Sequence, residues 1–242
     1  MLIVQTTRRQ GVSYLEDTLA TVGDVGSRDK LIVSDGLLPK GFRRPDGWRT
    51  VELPWQGARL TGWECMRIAL MRGVKNLLLF QDDIVVCDGG GRVADECPVP
   101  DNAVAVTFFS ANTLPGLQPK ALGDPRLILI GASGTAQALK LPYRSLEHLC
   151  SRDPKKAPNH IQDEPHLFDD TLFAFARQSQ WPHVAHLVPN IVRHVGEISA
   201  CGTKRGFQQP WSVKRGERFP ADVCDLPRFE VTYVHPPAPY IP

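Results

Sequence analysis

Continuous apolar runs alternate along the chain with stretches in which apolar residues recur every third or fourth position. Residues 2–7 (LIVQTT) read as a short buried strand. The following SYLEDTLATV carries Tyr14, Leu15, Thr18, Leu19 and Val22 at helical spacing, with Ser13 placed as a cap. Residues 30–36 (KLIVSDG) predict a second strand, 62–74 (GWECMRIALMRGV) an apolar-faced helix, and 76–80 (NLLLF) the strand that it feeds. Residues 103–109 and 126–134 supply two more strand candidates, separated by a loop rich in Pro and Gly. The β-α-β-α-β order predicts an α/β fold with a mixed, mostly parallel sheet flanked by helices. In such sheets ligands gather beyond the carboxyl ends of the strands.

Further along, residues 150–166 are polar and proline-punctuated, which predicts a surface loop over the site. Residues 169–180 form a helix pattern opened by aspartates, and 182–196 a strand-turn pattern; the tail from Cys201 shows no clear period. With 242 residues and a hydrophobic fraction of 42% the chain has enough material for a full core, and one domain is expected over 1–242. A formal charge of +2 does not by itself mark a nucleic-acid binder. The N-terminus matches neither a signal peptide nor a span of about 20 apolar residues. The cysteines, Cys65, Cys87, Cys97, Cys150, Cys201 and Cys224, have neither C-x-x-C spacing nor a close histidine partner, so a structural zinc site is not expected. Reduced thiols and the absence of an anchor point to a cytoplasmic, membrane-free protein.

Asp35 and the pair Asp82-Asp83 fall at predicted strand ends, where they can share one crevice. Adjacent carboxylates there suit a divalent cation such as Mg²⁺ or Mn²⁺, which prefers hard oxygen ligands and shares its shell with substrate phosphates. They equally suit a solvated turn. Asp169 and Asp170 open a helix pattern, as a general base or as a plain N-cap.

The order of these features resembles the GT-A superfamily of nucleotide-sugar glycosyltransferases. VQTTRRQGVSYLEDTLATV resembles the strand and helix that pack around the donor nucleotide, which implies donor contacts by Thr6 and Arg8. LLLFQDDIVV resembles the metal-binding D-x-D element, in the E-D-D form of the N-acetylglucosaminyltransferase IV and the collagen-galactosyltransferase and lipooligosaccharide-transferase families. The match implies Asp83 as the direct metal ligand with Asp82 beside the donor; Gln81 stands where those families carry Glu. IGASGTAQALKLP (130–142) resembles a glycine-containing loop before a helix, with Gly134, Ser133 and Thr135 close to the ligand. LFDDTLFAFA resembles the x-E-D motif of the catalytic base, favouring Asp170 over Asp169, and VPNIVRHVGEIS the late histidine motif, with His194 completing the metal shell. Asp35 is then expected on the base or ribose of the nucleotide. The basic-aromatic segment 201–219, with Lys204 and Arg205, would fold over the donor diphosphate or contact nucleic acid.

The resemblance implies an inverting, metal-dependent glycosyltransferase that takes a UDP-sugar as donor. It implies a nucleotide-sugar-binding half (1–110), an acceptor and catalytic half (111–200) and the basic-aromatic segment (201–242). The acceptor is expected to be a glycan or a hydroxymethylated DNA base. Two other classes compete. A metal-dependent nucleotidyltransferase also places carboxylates at strand ends, but the chain has neither a second suitably placed carboxylate pair nor a Gly-rich start followed by Lys. A non-catalytic binding module fits the loss of an acid at Gln81.

Overall fold

A computed structural model describes residues 1–7, 13–23, 25–27, 29–109, 126–131, 136–156, 168–181, 183–188, 190–195 and 230–233. In chain order the elements are β1 (Leu2–Thr7), α1 (Leu15–Thr21), β2 (Lys30–Asp35), β3 (Trp48–Leu53), α2 (Ala58–Met71), β4 (Asn76–Gln81), β5 (Ile84–Val86) and α3 (Gly90–Glu96). There follow β6 (Ala103–Thr107), β7 (Arg126–Gly131), β8 (Ala138–Pro142), α4 (Tyr143–Cys150), α5 (Phe168–Ala176), β9 (His183–Val188), β10 (Val192–His194) and β11 (Glu230–Tyr233).

Nine strands form one sheet in the order β11-β7-β9-β6-β8-β4-β1-β2-β3. Five of its eight pairings are parallel. The mixed, mostly parallel α/β sheet expected from the sequence is therefore present. Side chains alternate across it with the period of two that a strand imposes. Leu2, Val4, Ile32, Leu78 and Phe80 pack with Leu15 and Leu19 of α1, while Ile3, Leu31, Val33, Leu77 and Leu79 pack with Trp63 and Met66 of α2, Leu146 of α4 and Leu172 of α5. Both faces are covered, which explains why the central strands read as unbroken apolar runs.

Several elements depart from the sequence pattern. β3 lies at the sheet edge with Arg49 and Glu52 exposed, so it has no continuous apolar run to announce it. Residues 138–142 of the stretch read as a loop before a helix are instead strand β8, antiparallel to both β4 and β6, and α4 follows directly. Ser13 does not cap α1 in the usual way: its Oγ accepts a long 3.4 Å bond from the Leu15 amide, and Tyr14 takes the cap position. The glycines after β5 open a short helix, α3. There a Cβ on Gly90 would meet Cys87 Sγ at 2.7 Å and Val86 Cγ1 at 2.8 Å. Buried Lys140 of β8 donates to the carbonyls of Ala94, Asp95 and Cys97, closing the carboxyl end of α3 with a cation.

The helix that carries Asp169 is held by aromatic packing. Trp63 of α2 meets Phe168 and Phe175 of α5 edge-on, with ring centroids 6.3 and 5.7 Å apart. Gly62 makes room for this, since a Cβ there would lie 2.6 Å from Phe168 Cε2. Gly62→Ala is expected to destabilise the protein by about 1–2 kcal/mol, overpacking outweighing the gain in helix propensity. Urea unfolding checks it: the midpoint falls at unchanged slope.

Candidate active site

The site is built at the carboxyl edge of the sheet, where β1 and β4 end side by side in parallel register. The chain turns just after Gln81, and the turn buries Asp82 and Asp83, which are 2% and 5% exposed. Thr6 Oγ1, near the end of β1, donates to Asp82 Oδ2 at 2.5 Å, tying the turn to the neighbouring strand. Thr6 therefore acts on Asp82 through this bond.

Asp83 is brought to His194 by a separate two-stranded ribbon. β10 runs antiparallel to β5, pairing His194 with Ile84, Arg193 with Val85 and Val192 with Val86. The Val195 amide donates to the Asp83 carbonyl at 2.9 Å, and the Cys87 amide to the Ile191 carbonyl at 2.9 Å. His194 Nε2 comes to lie 3.2 Å from Asp83 Oδ2, a hydrogen bond when that nitrogen carries the proton. Helix α1 braces the ribbon from the other side. Thr18 Oγ1 donates to the Ile84 carbonyl at 2.6 Å, and the Val86 amide donates to Thr21 Oγ1 at 3.0 Å. These threonines are structural contributors that apolar spacing alone does not reveal.

Asp169 lies at the start of α5, half-buried, whereas Asp170 is exposed. Burial pushes the Asp169 carboxyl up to about 6; a hydrogen bond from the Ala136 backbone opposes that rise, and the nearby charges of Asp170 and Asp83 add to it. The charge of Asp83 is the smallest of these contributions, so the aspartate of α5 feels the one after β4 only weakly. An oxygen ligand and an imidazole nitrogen at Asp83 and His194 suit Mn²⁺ or Mg²⁺ as donors. No three His, Cys, Asp or Glu side chains converge as a cation cage among the described residues. The donor set thus fits a cation whose shell is completed by ligand oxygens.

Asp35, at the end of β2, faces the backbone that leads into α2. It is 0% exposed, and its carboxylate accepts from the amides of Gln56 at 2.7 Å and Gly57 at 3.0 Å. Gly57 is the N-cap of α2, so Asp35 holds the start of that helix. Gln81 ends β4 on the face of Leu77 and Leu79, in register with Gln5. Arg8, Gly134, Lys204 and Arg205 lie outside the described residues, as do Ser133 and Thr135.

No protein-family model and no curated protein matches the chain. Among solved structures it is similar to the mannosyltransferase PcManGT from Pyrobaculum calidifontis, in complex with GDP-Man and Mn²⁺. The identity is 12% and the TM-score 0.45, over 76% of this chain and 56% of that one. The chain thus spans little more than half of that structure, and a likeness of this size assigns no activity to it. No helix among the described residues is long and apolar enough to cross a membrane.

The raised carboxyl sets a sign for stability. Because the folded value of about 6 lies above the ordinary 3.8, the folded state holds this proton more tightly than the unfolded chain. The associated stabilisation is complete below about 3.8 and is lost as pH rises through about 6. Asp169→Asn, which removes the buried charge, is therefore expected to raise Tm at pH 8 and to change it less at pH 4.5; thermal melts at the two pH values check this.

Proposed function

We propose that this edge of the sheet is the active site of a nucleotide-sugar-dependent glycosyltransferase of GT-A type that inverts the transferred sugar. The observation that carries the reading is the placement of His194 3.2 Å from Asp83, with Asp169 close enough to feel the Asp83 charge. Asp83 and His194 would hold a divalent cation on the diphosphate of the donor, a UDP-sugar. The chemistry that such a cation supplies is neutralisation of charge on the leaving diphosphate. Asp82, fixed by Thr6, keeps the turn in place beside it.

Asp169 takes the part of general base. The sequence favours Asp170, but the half-buried, charge-coupled position of Asp169 suits proton transfer better than the exposed one of Asp170. In the transfer, the acceptor oxygen bonds to the anomeric carbon and gives up its proton to Asp169. The bond from that carbon to the diphosphate oxygen breaks, and its electron pair leaves with the nucleoside diphosphate. A carboxylate whose proton is held up to about 6 is ionised near neutral pH, yet is a stronger base than an ordinary aspartate.

Release of nucleoside diphosphate from a panel of UDP- and GDP-sugars, with water or added acceptor, tests the reading. Turnover is expected to fall tenfold per pH unit below about 6, and Asp169→Asn to lower it by about 10²–10⁴-fold. Asp170→Asn keeps most of it. Sugar phosphate in place of nucleoside diphosphate would make the protein a nucleotidyltransferase, and an Asp169→Asn variant with full turnover would overturn the assignment of the base.

A further inference from the structure

The connection from β2 to β3, residues 36–47, takes no part in the site described above. It must cross from the carboxyl edge of the sheet to the amino edge because the two strands are parallel, a run of about 20 Å along a six-residue strand. Its apolar residues Leu38 and Phe42 turn inward and pack against the core on the α1 side. Two turns stiffen it, with the Phe42 amide donating to the Pro39 carbonyl at 3.0 Å and the Trp48 amide to the Pro45 carbonyl at 3.3 Å. Between and beside these anchors, Lys40, Arg43 and Arg44 all point to solvent, against the single acid Asp46. None of the three cations is paired with a carboxylate among the described residues, whereas the neighbouring Arg49 and Arg72 are both paired with Asp29.

At the carboxyl edge of the sheet, where this connection begins and β3 ends, stand two large exposed apolar side chains, Leu37 at 78% and Trp55 at 65%. Gly36, the residue before Leu37, lies beside Trp55: a Cβ on Gly36 would be 3.9 Å from Trp55 Cβ, and the Gly36 amide donates to the Leu53 carbonyl at 2.9 Å. β3, β2, β1 and β4 are consecutive in the sheet. Trp55 therefore follows a strand three spacings, about 14 Å, from the one that leads to Asp83.

We propose that Lys40, Arg43, Arg44 and Trp55 form a docking strip for DNA, which delivers a hydroxyl-bearing base to the carboxyl edge of the sheet as the acceptor. Cations displayed on a stiff backbone bind phosphates at little cost in ordering, and guanidinium groups match phosphate geometry. An exposed indole at the end of such a strip supplies a face on which a base unstacked from its neighbours can rest. The arrangement suits a strand better than a membrane, because the cations extend along the crossover away from the apolar pair, whereas a bilayer surface would call for them around it at one depth. The strip as an acceptor platform rests on the transferase reading; its binding of DNA does not.

The test measures binding of a fluorescein-labelled 20-base DNA, as duplex and as single strand, by anisotropy between 50 and 200 mM NaCl. The same proteins are scanned for thermal stabilisation by UDP with Mn²⁺, so that loss of the strip and failure of the donor site are read separately. Wild type is expected to bind and to weaken at least about 40-fold over that salt range if the three cations meet phosphates. Lys40→Ala/Arg43→Ala/Arg44→Ala lowers the slope of log K against log salt by about 2.7, and Trp55→Ala weakens the single strand more than the duplex, both with the UDP response unchanged. Wild type that does not bind DNA at 50 mM salt, or a triple variant that binds as wild type does, overturns the proposal. So does binding to vesicles of phosphatidylcholine with phosphatidylserine in its place.

Discussion

The site depends on one pairing, the ribbon of β5 and β10. It sets a histidine against an aspartate 111 positions earlier, the one that follows the central strand β4. Closing so long a loop is costly in chain entropy, though the cost grows only slowly with length. What offsets it is local and hydrophobic: Ile84, Val85, Val86, Ile191 and Val192 are all buried, and two threonines of α1 bond to the backbone of β5. The ribbon is thus gripped on two sides before any ligand arrives.

Around that pairing the sheet supplies two further constraints. Asp35 fixes the start of α2 by occupying the amides that open it, and α2 in turn fixes α5 through the Trp63 contacts and the space left by Gly62. The aspartate of α5 is thereby held through the packing of its immediate neighbour Phe168 and of Phe175. A chain that seats a carboxylate where burial and neighbouring negative charge raise its proton affinity bears a local cost in stability once that carboxylate ionises.

Much of this was legible in the sequence, and the parts that were not have physical reasons. β1, β2, β4 and β6 are buried on both faces, so their composition alone declares them. β3 sits at an edge and β5 has three residues, too few for a period to show. Asp82 and Asp83 could be placed at a strand end from their neighbours. Asp35 occupies an equivalent strand end and serves a helix instead, because the amides of Gln56 and Gly57 lie against it. Nothing in its own strand carries that information. His194 could be singled out only through its resemblance to a motif, since its partner is remote in the chain. Which of the adjacent Asp169 and Asp170 the helix carries inward is set by tertiary packing, which two identical neighbouring side chains do not reveal.

The proposed cation site joins Asp83 and His194 and is completed by a nucleoside diphosphate. Electron paramagnetic resonance of Mn²⁺ measures it directly, comparing UDP alone with UDP and protein, for wild type, Asp83→Asn and His194→Ala. Wild type with UDP is expected to remove a stoichiometric portion of the signal, and each substitution to weaken this binding by at least about tenfold while the fold persists. Equal Mn²⁺ binding by wild type and Asp83→Asn, or none by wild type, would contradict it.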